Sequence, residues 1–233
     1  MNRLPHEPHD FALPDALAAA LADKVAGLLT EAINQRGAGF LAVSGGSTPA
    51  RFFEALSGKQ LDWAKIVVTL VDERFVPESS ERSNAALVKA KLLVGQAASA
   101  RFAPLYNDAK TVEAAAAKAG ESLRDCPWPL DVAILGMGTD GHTASFFPDA
   151  DNLADLLDPA SDRVVLPVRA KSAGEPRLTL SLARLVEARF LALHIEGEQK
   201  RAIVEEALSP GSILPISAVF THSTKPVPVY WAG

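Results

Sequence analysis

Short apolar runs alternate along this chain with longer segments whose apolar residues return at helical spacing, and that alternation restricts the fold more than any other feature. Residues 39–43 (GFLAV), 65–71 (KIVVTLV) and 131–135 (DVAIL) are nearly continuous in aliphatic side chains, as strands buried on both faces require. Residues 15–36 carry Leu17, Leu21, Val25, Leu28, Leu29 and Ile33. These form one face of a helix that has Pro14 near its start and Gly37 just past its end. Helices are also predicted over 51–56 with Pro49 in the first turn, over 83–93 with Ser83 as cap, over 112–124 and over 199–208. Further strands are predicted at 163–168, 178–182, 190–195 and 227–231. The pattern predicts an α/β fold: a mainly parallel sheet with helices on both faces, Rossmann-like, in one domain. A chain of 233 residues that is 48% hydrophobic can bury such a core. The polar start, rich in Pro and His, is expected to be a mobile segment over residues 1–13, with a single α/β domain over 14–233.

Charge and composition narrow the partners. A formal net charge of -5 argues against nucleic acid or an anionic membrane, so an anionic ligand needs a local cluster of Lys, Arg and backbone N–H groups. No apolar run approaches a membrane span, and the first ten residues do not read as a secretory signal. Cys126, the single cysteine, cannot form an internal disulfide and fits a reducing compartment. The expected address is the cytoplasm.

Ligands of open parallel sheets bind beyond the carboxyl ends of the strands. Three predicted strands end in polar loops: SGGSTP at 44–49, Asp72, Glu73 and Arg74, and GMGTDGH at 136–142. Topology brings all three to one sheet edge. In the first loop, Gly45 and Gly46 permit close backbone approach, while Ser44, Ser47 and Thr48 donate hydroxyls ahead of a helix N-terminus. Those are the parts of an anion cradle. The alternative is a tight strand-to-helix turn with Thr48 as cap. In the second loop, Asp72 can orient a sugar hydroxyl and Arg74 can meet an anion; a plain surface charge cluster is the alternative.

The third loop contains a perfect G-x-G-x-x-G, but three features oppose a dinucleotide-binding turn. Asp140 would set a carboxylate beside a pyrophosphate, Pro148 stops a helix within about two turns, and the motif lies past mid-chain. The glycines, Gly138 among them, instead bring backbone close to a small ligand while Asp140 and His142 do the chemistry. A hydrogen-bonded structural histidine is the alternative for His142. Asp140 and His142 lack a spaced third donor, so no metal is expected. No G-x-S-x-G elbow is present and Cys126 has no nearby histidine in sequence, which leaves a covalent nucleophile unsupported.

Taken together, residues 44–49, Val71 to Arg74 with Ser83 and Asn84 downstream, and residues 135–148 resemble the 6-phosphogluconolactonase family, within the larger group that includes glucosamine-6-phosphate deaminase. Residues 176–180 and 197–200 are further, weaker matches. The resemblance spans nearly the whole chain. It implies hydrolysis of 6-phospho-D-glucono-1,5-lactone to 6-phosphogluconate in the oxidative pentose phosphate pathway, without a cofactor. It further implies that the small sugar-phosphate lactone sets its phosphate on the Gly45–Gly46 loop, with Arg177 and Lys200 as charged partners. Arg74 reaches either the phosphate or the sugar end. His142 is the expected general base, with Asp140 or Asp72 fixing its tautomer. A monomer or weak homodimer is expected. As the resemblance has it, the deaminases use a Glu immediately before the Pro of the third motif; Phe147 stands there in this chain, which favours the lactonase. A sugar-phosphate sensor would carry a helix-turn-helix segment, and none is legible.

Overall fold

Every residue of the three central strands is buried, which accounts for the absence of polar alternation in their sequences. The computed structural model describes residues 6–233. Its elements run β1 (His6–Phe11), α1 (Pro14–Arg36), β2 (Gly39–Val43), α2 (Ala50–Ser57), β3 (Ile66–Leu70), β4 (Asp72–Arg74) and α3 (Asn84–Lys91). They continue through β5 (Arg101–Ala103), α4 (Val112–Leu123), β6 (Val132–Leu135), α5 (Leu153–Leu156), β7 (Val165–Val168) and β8 (Arg177–Leu180). The last are α6 (Leu182–Val186), β9 (Phe190–Glu196), α7 (Glu198–Ala207), α8 (Pro215–His222) and β10 (Val227–Ala232).

Seven strands form one parallel sheet in the order β1-β10-β9-β6-β2-β3-β5. The chain leaves β2 towards β3 on one side and leaves β6 towards β9 on the other. The loops after β2 and β6 therefore flank a topological switch point, where open α/β sheets bind ligands. Helix α1 buries Leu17, Leu21, Val25 and Leu29, with Leu28 and Ile33 partly buried. It ends where Gly37, at φ 79°, returns its N–H to the Ile33 carbonyl. Ser83 caps α3 as expected, its side chain accepting from the Ala86 N–H.

Three expectations need correction. Strands predicted at 163–168 and 178–182 lie outside the parallel sheet: β7 and β8 join β4 in a three-stranded antiparallel sheet, and residue 182 already starts α6. Asp72, Glu73 and Arg74 are strand rather than loop, paired with Thr179, Leu178 and Arg177. Of the segment expected to be mobile, residues 1–5 lie outside the described residues. His6–Phe11 pair with β10 as the edge of the main sheet, an arrangement carried by backbone hydrogen bonds and by His9 stacked on Tyr230 at 4.7 Å. No helix among the described residues is long and apolar enough to cross a membrane.

Candidate active site

Four parallel strands end at one cleft of about 220 Å³, lined by residues 44–49 after β2, Asp72 and Arg74 on β4 just beyond β3, Gly136 to Gly138 and His142 after β6, and His194 and Lys200 at the end of β9 and start of α7. Asn84, Ala144 and Arg177 complete the lining. All three polar loops of the sequence reading thus meet, and Arg177 and Lys200 join them. Of the twelve candidate residues, only Asp140 does not itself line the cleft; it stands behind His142.

The loop after β2 leads into α2, whose N-cap is Pro49 with no side-chain cap. Thr48 is therefore not the cap, and no side chain caps the first N–H groups of the helix, which follows directly on the cleft-lining residues 44–49. Gly46 sits at φ 98°, a conformation L side chains rarely adopt. At Gly45 a Cβ would stand 1.9 Å from Asn84 Oδ1, so glycine there is a packing requirement.

The loop after β6 is followed by no helix until α5 at Leu153, which removes the dinucleotide reading of its glycines. Gly138 donates to the His142 carbonyl at 2.9 Å, and Gly141 (φ 77°) donates to the Gly138 carbonyl at 3.1 Å. This tight turn aims His142 at the cleft. Its Nδ1 lies 2.5 Å from Asp140 Oδ1, its ring packs on Phe147 with centroids 4.3 Å apart, and a Cβ at Gly138 would come within 2.2 Å of Cε1. Asp140 is thus the carboxylate that orients the imidazole. Asp72 is engaged elsewhere: its Oδ2 accepts from the Ser145 hydroxyl at 2.6 Å.

Positive charge gathers in the same cleft. Arg74 and Arg177 are direct partners across β4 and β8, an opposition of like charges that costs energy unless an anion or carboxylate compensates. Asp72 and Glu175 supply part of that compensation to Arg177, and burial is the larger influence, pushing its guanidinium below the usual range. Arg74 is latched by the Arg82 carbonyl at 2.6 Å and Asn84 Oδ1 at 2.7 Å, and Asn84 in turn donates to the Asp72 carbonyl. Beneath them Glu73, fully buried, accepts from the backbone N–H groups of Arg74, Asn84 and Ala85 and from the Ser83 hydroxyl. Burial raises its carboxyl above the ordinary value against those hydrogen bonds. Lys200 is lowered, first by burial, with Glu196 opposing.

The sequence reading missed Asn84, Glu73, Ser145 and His194 as parts of this site. Ser83 and Asn84 carried a signal as a matched pair, Ser145 lay within the third matched motif, and a strand-end acid beside a capped helix marked Glu73; nothing local marked His194. Among the described residues, no group of three His, Cys, Asp or Glu side chains gathers as a potential metal cage. The chemistry available is a histidine–carboxylate pair facing a cationic cleft.

Comparison with known proteins gives three findings. The family described as glucosamine-6-phosphate isomerases/6-phosphogluconolactonase matches residues 12–231. A 6-phosphogluconolactonase of Mesorhizobium japonicum is 61% identical over 95% of this chain and 94% of its own, and one of Rhizobium meliloti is 51% identical over 96% and 97%. The crystal structure of a 6-phosphogluconolactonase from Shewanella baltica superposes with a TM-score of 0.92 at 37% identity, covering 98% of each chain.

Proposed function

This chain belongs to the glucosamine-6-phosphate isomerase/6-phosphogluconolactonase family, and from that premise we propose that it hydrolyses 6-phospho-D-glucono-1,5-lactone to 6-phosphogluconate, the lactonase step of the oxidative pentose phosphate pathway, with His142 as general base. The observation that carries this reading is the pairing of His142 with Asp140 in a cleft also lined by Arg74, Arg177 and Lys200, in a protein of net charge -5.

In this reading the phosphate lies against the Gly45–Gly46 backbone and the α2 N-terminus, with Arg177 and Lys200 supplying charge-assisted hydrogen bonds. Asp140 accepts the Nδ1–H of His142, which leaves the Nε2 lone pair facing the cleft. Water attacks the lactone carbonyl carbon as Nε2 takes one of its protons. The carbonyl π pair moves onto oxygen, where backbone N–H groups of the glycine loop hold the anion. On collapse, the bond from carbonyl carbon to ring oxygen breaks and that oxygen takes the proton from Nε2–H, so one residue serves both half-steps. Asp72 orients a sugar hydroxyl. Arg74, latched beside it by Asn84, faces the sugar end.

Phe147 weighs against the deaminase reaction. It stands where that chemistry is expected to need a carboxylate, and it serves as a buried apolar shelf beneath His142 and Arg177. The test is to offer both substrates in buffer containing a chelator. Lactone opening should accelerate and glucosamine 6-phosphate should release no ammonia; the reverse pattern overturns the assignment.

A further inference from the structure

His194 enters the cleft from β9 yet has no role in the reaction just described. Its side chain is 3% exposed, and its Nε2 is buried without a hydrogen-bond partner. Facing it at 3.9 Å is Glu196 Oε1, also buried and also unpartnered. Two orphaned polar atoms of complementary character at a ligand cleft are an unfinished hydrogen bond, since buried polar groups are otherwise satisfied. The surroundings explain why it stays unfinished. The edge of Phe52 on α2 packs against the imidazole, with ring centroids 6.2 Å apart. The Lys200 cation on α7 disfavours a second positive charge there. Arg51 on α2 draws Glu196 Oε2 the other way at 3.8 Å. Tyr230, the register partner of His194 on β10, completes the titratable neighbourhood. Burial and Lys200 together lower the histidine to about 4, so it is neutral near pH 7.

We propose that His194 is a further ligand of the phosphate end of the substrate, and that it takes a proton from solvent as the phosphate binds, donating one N–H to Glu196 and the other to the phosphate. The inference rests on the reading that the phosphate lies beside Lys200. A phosphate dianion there offsets the lysine charge and adds an attraction of its own, acting against the burial that is the larger reason the imidazole is neutral. A protonated imidazole has two donors, and the site then offers an acceptor for each. The residue contributes to binding and to its pH dependence; water activation stays with His142.

Calorimetric titration with the product 6-phosphogluconate, in buffers of differing ionisation enthalpy near pH 6.5, reads affinity and proton uptake together. The parent should take up more protons than His194→Gln, by up to about one proton. The variant should bind about 5- to 20-fold more weakly with kcat little changed, as expected for loss of a charge-assisted hydrogen bond. Glu196→Gln, at a partly exposed position and close to isosteric, should also lower the uptake. Parent-like affinity and proton count in His194→Gln, with Lys200→Ala still impaired, overturns the role of His194 and leaves the phosphate reading standing. If unphosphorylated gluconate binds the parent as well as 6-phosphogluconate does, the phosphate reading fails and this inference falls with it.

Discussion

Gly138→Ala is the smallest change that reaches the proposed base without touching it. The new Cβ would lie 2.2 Å from Cε1 of His142, 2.3 Å from Nδ1 and 2.7 Å from Asp140 Oδ1, whereas ordinary contact begins at 3.4 Å. The glycine is not among the positive-φ positions, so backbone strain does not confuse the result. The ring must retreat by roughly 1 Å to restore ordinary contact, and Phe147, packed on it with centroids 4.3 Å apart, limits the directions open to it. A misplacement of that size costs on the order of 10²-fold in rate, or about 2.7 kcal/mol of barrier. The expected result is a kcat about 10²-fold below the parent with affinity for 6-phosphogluconate within a few-fold, because the phosphate contacts lie on other loops. Initial rates on freshly generated lactone and calorimetric titration of product give the two numbers. A folded Gly138→Ala enzyme with kcat within a few-fold of the parent would refute the argument that the glycine exists to seat His142.

Two further outcomes follow from the charges. Arg177→Ala and Lys200→Ala should each weaken binding of the phosphorylated substrate by about 1.5–3 kcal/mol, while the unphosphorylated lactone should be a poor substrate of the parent and nearly indifferent to these changes; equal losses with both lactones assign these residues elsewhere. Stability of the ligand-free protein should depend on His194, whose folded value of about 4 lies below the ordinary 6.5. The unfolded chain therefore binds that proton first, so the contribution is fully present above pH 6.5 and is lost as pH falls towards 4. Urea unfolding across that window should cost the parent about 3 kcal/mol more than His194→Gln, and matching pH slopes refute it.

Much of this architecture is legible because burial on both faces removes polar residues. That is why β2, β3 and β6 stand out as apolar runs, and why the loops after them could be placed at one edge. Strand membership is a different matter. β7 and β8 carry a readable strand pattern, but their antiparallel partner β4 is only three residues long, and nothing in an apolar run names its neighbour. β1 reads as a polar tail because an edge strand draws its stability from backbone pairing. The site divides the same way. His142 was marked by its glycines, and Asp140 emerged over Asp72 only when distance decided. His194 looked like a strand residue, which it is; its place in the cleft comes from β9 ending beside the switch point. The contact between Gly45 and Asn84 joins loops that sequence alone keeps apart, so the packing reason for that glycine was invisible.

The central claim is that His142 activates water for lactone opening, and an NMR time course of freshly generated 6-phosphogluconolactone tests it most directly. Three samples suffice: buffer alone, parent enzyme and His142→Asn, the last verified as folded and able to bind product. Asparagine keeps a polar side chain of similar reach but cannot take the proton. The account predicts parent catalysis well above the spontaneous rate, with kcat in the variant lowered by about 10²–10⁴-fold at unchanged product affinity. A folded His142→Asn enzyme that opens the lactone at a near-parent rate would contradict it and turn attention to Asp72.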